Sequence, residues 1–194
     1  YIMPKMPDGC EEGIIKGIYK FRTKESEQGK HRVQLFGSGA IMNCVLKAQE
    51  ILADQYGVSS DVWSVTSYNE LRRDAQECKR WNMFHPTMEP RKSYLETVLA
   101  GSEGPFIASS DYVQAHSEQV AQFLPDEFLA LGTDGMGRSE TRPALRRHFE
   151  VDAECVTVAA LYQLCKQGKV DAATVEKAIK DLGVNPEKIS PLYA

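Results

Sequence analysis

The sequence predicts an α/β fold: a five-stranded, mostly parallel sheet covered by helices on both faces, with its first strand antiparallel. Short runs rich in branched and aromatic residues alternate with helical stripes of roughly ten to fifteen residues, as in successive βαβ units. Glycines fall where a strand should turn into a helix and where a helix should stop. The link between the first two strands is too short for a crossover helix, which makes that pair antiparallel.

Along the chain, Pro4, Pro7, Gly9 and Gly13 mark residues 1–16 as an extended lead-in with a helical turn over 11–16. Ile18-Tyr19-Lys20-Phe21 alternates like a half-buried strand, and the charged stretch 23–30 reads as a surface loop. Residues 31–36 form the next strand. Gly37-Ser38-Gly39 breaks it, and Ile41, Val45, Ala48 and Leu52 follow at helical spacing up to a left-handed cap at Gly57. Val62-Trp63-Ser64-Val65-Thr66 is a third strand. Ser67 and Glu70 then have the spacing of a capping box, opening a helix whose stripe runs through Leu71, Ala75 and Cys78.

Residues 81–90 contain two prolines and read as loop. Tyr94, Leu95, Val98 and Leu99 form another helical stripe, closed by Gly101. Residues 105–108 form a strand with proline only at its start. A helix through Val113, Val120 and Phe123 should stop before Pro125, and Phe128-Leu129-Ala130-Leu131 reads as a buried strand. The glycine-rich stretch 132–139 is a shaped loop. Three helices close the chain, near 143–149, over 153–167 and over 172–182, with Asp152 and Asp171 as N-caps of the last two. The whole of 1–194 reads as one domain.

Composition sets outer bounds. Of 194 residues, 23 are Lys or Arg and 27 Asp or Glu, giving a formal net charge of −4. No concentrated basic surface is evident to attract nucleic acid or anionic lipid, and no apolar run is long enough to span a bilayer. Cys10, Cys44, Cys78, Cys155 and Cys165 are scattered and odd in number, without a C-x-x-C pair, which suits reduced thiols in a cytoplasmic protein. The opening Tyr1-Ile2-Met3-Pro4-Lys5 lacks an initiator methionine, and the chain is expected to be a fragment of a longer one.

The search for chemistry is mostly negative. His31, His85, His116 and His148 are isolated from one another and from the cysteines, so no metal site is expected. No nucleophile elbow occurs, and no cysteine has a recognisable partner. Phe36-Gly37-Ser38-Gly39-Ala40 lies between strand and helix, so Gly37, Ser38 and Gly39 are candidates to hold an anion. Met42 stands where a Rossmann fingerprint has its third glycine, however, and Thr66 and Ser67 stand where an acidic ribose ligand belongs. The favoured reading is that the glycines serve only to turn the chain sharply from strand to helix, since a lone G-x-G is common in βα turns. A stand-alone dinucleotide- or anion-binding module using this turn, with Arg72 and Arg73, is the alternative function.

Two groups of residues suggest contact surfaces. Trp81, Phe84 and His85 belong to an aromatic segment suited to packing on a neighbour. Arg138, Arg142 and Arg146 recur every four residues, either as an interface to an acidic partner or as a solvated face balanced by Glu140 and Glu150.

Several stretches resemble one family closely. They are Met3-Pro4-Lys5-Met6-Pro7, residues 11–20, Gln34-Leu35-Phe36-Gly37-Ser38-Gly39, Ser64-Val65-Thr66-Ser67, Arg80-Trp81-Asn82-Met83, residues 132–139 and residues 146–152. Together they are similar to the C-terminal part of the homodimeric bacterial pyruvate dehydrogenases, the thiamine-diphosphate-dependent first component of the pyruvate dehydrogenase complex. More distantly the chain resembles the transketolase C-terminal domain.

The resemblance implies a three-layer α/β/α unit whose five-stranded mixed sheet has its first strand antiparallel. It implies an oxidoreductase that decarboxylates pyruvate on thiamine diphosphate with magnesium and reductively acetylates the lipoyl group of the acetyltransferase component. It also implies a homodimer, with that transferase engaged mainly through the N-terminal end, outside this stretch. The cofactor would lie between two domains that precede Tyr1. Thr133-Asp134-Gly135 is the nearest approach to the family's G-D-G…N-N cofactor motif, and no Asn-Asn follows. No catalytic, cofactor-binding or metal-binding residue of the family therefore maps onto this chain. The expected role is a non-catalytic, dimer-supporting domain packed on the rest of the parent chain.

Overall fold

A computed structural model describes residues 2–29 and 31–194. Tyr1 of the expected lead-in and Lys30 of the expected 23–30 loop lie outside the described residues. Five strands, β1 (Ile18–Lys24), β2 (His31–Gly37), β3 (Val58–Val65), β4 (Phe106–Ser109) and β5 (Phe128–Leu131), form one sheet in the order β1-β3-β2-β4-β5. β1 is antiparallel to β3, and all other pairings are parallel.

Side chains leave the strands alternately to two cores, as the pleat requires. Val33, Leu35, Val62 and Ile107 face α2 (Met42–Tyr56), α7 (Ala153–Lys166) and α8 (Ala172–Asp181). Phe36, Trp63, Phe106 and Ala108 face α3 (Tyr68–Phe84) and α4 (Tyr94–Val98) on the other side. The result is the three-layer arrangement expected. The shorter helices are α1 (Glu11–Lys16), α5 (Gln114–Glu118) and α6 (Arg142–His148).

Several local expectations hold for the reasons that prompted them. Gly57 ends α2 in the left-handed region at φ 67°. Ser67, Asp152 and Asp171 each accept a backbone N–H from the first turn of their helix.

Other expectations need correction. β1 neighbours β3, not β2. β3 is buried along nearly its whole length and needs a partner on each side. It also begins at Val58, because Ser59, Ser60 and Asp61 pair with β2, and Ser60 and Asp61 also with β1; Gln49 Nε2 donates to the Ser60 carbonyl (2.9 Å) and Ser26 N to Ser59 Oγ (3.0 Å), while the buried Ser60 hydroxyl has no partner. β1 likewise runs on to Lys24, since Thr23 and Lys24 are held by Asp61 and Glu50, which shortens the expected loop.

Residues 81–84 are helical, not loop. Pro86 drives only His85, the residue before it, out of the helical region (φ −129°, ψ 58°). The helix expected through Val113, Val120 and Phe123 is two pieces, α5 and a 3-10 turn at Ala121–Phe123. The Gln119 side-chain amide takes the His116 carbonyl at 2.6 Å, and the Val120 N–H, which a continuing helix would give to that carbonyl, bonds Ser117 instead. β5 is an edge strand with only Ala130 fully buried, because β4 alone pairs with it.

Candidate functional site

The parallel strands all point their carboxyl ends to one edge of the sheet, where an open α/β sheet forms its crevice. Three loops meet there, following β2, β4 and β5. At the first, a Cβ on Gly37 would come within 2.7 Å of Met42 Sδ, so this glycine lets the strand end press against α2. Gly39 has φ 51°, and a Cβ there would lie 3.7 Å from Asp111 Oδ1. The Ser38 hydroxyl donates to Ser110 Oγ at 3.0 Å, tying the first loop to the second. A carboxylate beside Gly39 opposes an anion in the turn, and nothing here supports a dinucleotide site built on it.

The third loop, residues 132–139, is held by the second. Thr133 N donates to the Tyr112 carbonyl (2.9 Å), Thr133 Oγ1 donates to the Asp111 carbonyl (2.8 Å), and Asp134 Oδ2 accepts from Gln114 N (2.9 Å). Gly132 is required, because a Cβ would come within 2.6 Å of the Tyr112 carbonyl.

α6 follows with proline in its first turn. Its Arg142 and Arg146 share a face, and with Arg138 they line a cavity of about 340 Å³ at the mouth of the three loops. Ile41, Leu145, Phe149 and Val151 supply apolar wall, and Asp111 and Thr133 add polar atoms. Arg146 Nη2 reaches the Ala40 carbonyl only weakly, at 3.5 Å. Arg147 leaves the group: it pairs with Asp152 (2.6 Å) and Glu154 (3.4 Å). The two glutamates expected to balance a solvated face are engaged elsewhere, Glu150 with Lys188 (2.9 Å) and Glu140 with the Thr141 N–H (2.8 Å). Sequence reasoning found the arginines and singled out Thr133 only within the 132–139 loop, and it missed Asp111, whose only sequence signal is its place just after β4.

Trp81, Phe84 and His85 form a separate group that shares no lining residue with this cavity. The Trp81 and His85 rings stack at 4.3 Å with an interplanar angle of 9°, and the Arg91 guanidinium lies 4.0 Å from the Trp81 ring centre. Asn82 and Arg91 clamp the turn by a reciprocal pair of hydrogen bonds (2.9 and 2.8 Å). The stack is thus satisfied internally, whereas Met83 and Phe84 beside it are 65% and 62% exposed. Exposed apolar side chains on an ordered helix end suit a contact surface.

No cofactor cradle is built from these residues. Asp134, in the nearest approach to a diphosphate-and-metal motif, accepts from the Gln114 N–H. Among the described residues, no group of three or more His, Cys, Asp and Glu could hold a metal ion. The five cysteines are free, and burial pushes the Cys44 and Cys155 thiols above their ordinary range, opposite to what an activated nucleophile needs. No helix is long and apolar enough to cross a membrane among the described residues.

The comparisons with known proteins agree with this architecture. The model of the transketolase-like TK C-terminal domain matches residues 17–152. The chain is 51% identical over 195 residues to the pyruvate dehydrogenase E1 component of Escherichia coli, covering 100% of this chain and 22% of that protein. It is 52% identical over 192 residues to the same component of Haemophilus influenzae, covering 98% of this chain and 21% of the relative. The chain thus spans about a fifth of the length of these curated relatives. Among solved structures, a Pichia stipitis transketolase mutant in complex with xylulose-5-phosphate superposes with a TM-score of 0.56 at 15% identity, over 87% of this chain and 21% of that one. At that identity the likeness concerns the fold alone.

Proposed function

The chain belongs to the transketolase-like C-terminal domain family, and from that premise we propose that it is the non-catalytic, dimer-supporting C-terminal domain of a longer, thiamine-diphosphate-dependent pyruvate dehydrogenase. The observation that carries this reading is the 51% identity, spread over the whole chain, to a pyruvate dehydrogenase E1 component. The complete enzyme is an oxidoreductase of the pyruvate dehydrogenase complex, homodimeric and cytoplasmic. It decarboxylates pyruvate and passes the acetyl group to the lipoyl group of an acetyltransferase component.

Thiamine diphosphate with magnesium supplies the electron sink for that decarboxylation in the parent enzyme. The residues present here do not fit the cofactor, so its site belongs to other parts of the parent chain. This chain contributes a rigid scaffold of one domain, 1–194, with 1–16 as the lead-in. In this reading Trp81, Phe84 and His85 pack against the remaining domains or the second subunit. Arg138, Arg142 and Arg146 form the cationic part of that surface, and Gly37, Ser38 and Gly39 shape the turn beside it.

The test is direct. The isolated chain, given thiamine diphosphate, magnesium and pyruvate, should release no carbon dioxide above background. A full-length enzyme lacking this stretch should run as a smaller oligomer on size-exclusion chromatography. Turnover by the isolated chain refutes the reading, as does an intact dimer without it.

A further inference from the structure

We propose that residues 184–194 form a strap that latches the arginine-bearing stretch 135–150 over the carboxyl edge of the sheet, with Lys188 as the latch, so that strap and stretch are held or released together. The inference rests on geometry alone and does not depend on which reaction the longer protein performs. α6 needs such a device. Its seven residues are too few for a helix to persist in water unaided, and none of its side chains is fully buried. Part of its support therefore comes from polar ties to other segments. Lys188 Nζ donates to the His148 carbonyl at 2.6 Å, one of the carbonyls that a helix end leaves without an internal partner. The same ammonium pairs with Glu150 Oε1 at 2.9 Å, and a cation placed there also complements the negative end of the helix.

The backbone of Glu150 is shaped to this contact. It has φ 60°, and among the described residues it is the one residue other than glycine with positive φ. Val151 N donates to the Arg146 carbonyl at 3.0 Å, so Glu150 occupies the left-handed position just past a helix end, where glycine is the usual choice. A residue with a side chain accepts that conformation only where its surroundings fix it, and here it delivers a carboxylate to Lys188. The far part of the strap meets the other end of the stretch. Gly135 has φ 98°, and a Cβ there would run into the Pro191 carbonyl, so Pro191 lies directly on the loop. Lys188 and Pro191 thus grip the stretch at both ends, with Arg138, Arg142 and Arg146 between them. The strap is clasped more than packed. Ile189, Leu192 and Tyr193 are 67%, 54% and 82% exposed, and a cavity of about 270 Å³ lies between Leu192 of the strap and Gln114, Glu118 and Asp134 of the body. Lifting the strap therefore uncovers little apolar surface, as in segments that open well before the rest of a fold.

Hydrogen–deuterium exchange of the full-length protein, resolved by peptide, tests this with Lys188→Met, which keeps the aliphatic stem and removes the ammonium. Amide exchange over 142–151 and over 184–194 should rise together by about tenfold or more, the worth of a hydrogen bond from a charged group. β2, β3 and β4 should stay protected throughout. Glu150→Gln, which loses the ion pair and leaves the bond to the His148 carbonyl, should give a smaller rise in the same two segments. Lys180→Met, on the exposed face of α8, should leave both as they are in the parent. Unchanged exchange in Lys188→Met overturns the proposal, and so does a rise confined to one of the two segments in either latch variant. Loss of protection across β2, β3 and β4 in Lys188→Met, or an equal response to Lys180→Met, overturns it as well.

Discussion

Replacing Asp61 by asparagine should cost this protein a large part of its stability, because Asp61 is the charged centre of the sheet. It is 5% exposed and sits in β3 with a neighbour strand on each side. From β1 it accepts from Thr23 Oγ1 at 2.5 Å and faces Lys20 Nζ at 3.3 Å. From β2 it accepts from Gln34 Nε2 at 3.2 Å and Arg32 Nη1 at 3.3 Å. Gln34 in turn accepts from Trp63 Nε1 at 2.8 Å, so the network reaches into the second core. An asparagine presents an NH2 where one of the two oxygens was, so one set of donors is left facing a donor. Breaking a buried ion pair costs about 3–5 kcal/mol. Lys20 and Arg32 remain partly solvated, which lowers the expectation to about 3 kcal/mol. For a chain of this size that is a fall in Tm of roughly 6–12 °C.

The pH dependence has a definite sign. Burial works against the charge, but the hydrogen bonds from Thr23 and Gln34 and the charges of Lys20 and Arg32 outweigh it, holding the Asp61 carboxyl below its ordinary range. Above the unfolded value, about 4, the contribution is complete. It is lost as pH falls from there through the lowered folded value, since the unfolded chain takes up the proton first. Urea unfolding followed from neutral pH downward should therefore show a shallower acid limb in Asp61→Asn than in the parent. A midpoint for Asp61→Asn that differs by less than about 0.5 kcal/mol at neutral pH, a typical surface effect, refutes the reasoning.

Two further substitutions probe local devices. Gly104 has φ 84°, and a Cβ there would run into the Arg32 carbonyl of β2. Gly104→Ala should lose about 2–4 kcal/mol in urea unfolding through backbone strain and overpacking, and a loss under about 0.5 kcal/mol contradicts that geometry. Ser93 and Glu96 form a complete capping box at α4. Ser93→Ala should cost about 1 kcal/mol, and an unchanged midpoint refutes a stabilising role for this buried cap.

What the sequence made legible was local. The Asp152 and Asp171 caps, the Gly57 stop and the Gly132–Ser139 region as loop each depend on a few neighbouring residues, whose geometry is the same in any tertiary context. What it hid was decided at a distance. Ser59, Ser60 and Asp61 look like the end of a loop, and the groups that let them be strand, Gln49 on the Ser60 carbonyl, Ser26 on the Ser59 hydroxyl, and Thr23 and Gln34 on the Asp61 carboxylate, come from other elements. The break after Glu118 likewise depends on one rotamer of Gln119, which no periodicity encodes. The adjacency of β1 to β3 follows from the need to flank a wholly buried strand, a demand that the short link to β2 does not reveal.

The candidate site divides in the same way. Glycines in a βα turn draw attention to backbone N–H groups as the source of positive potential, yet the turn at Gly37, Ser38 and Gly39 is occupied by its own fold: Met42 fills the space over Gly37, Ser38 bonds Ser110, and Asp111 stands beside Gly39. The same is true of the third loop, where Thr133 and Asp134 hold the backbone of residues 111–114. With loop polar groups committed to joining one strand end to the next, the chemistry offered at that edge of the sheet has to come from side chains delivered by the following helix. The four-residue spacing of Arg142 and Arg146 is legible as one face of a helix, but that this face, with Arg138 from the preceding loop, stands over the ends of β2, β4 and β5 is a fact of topology.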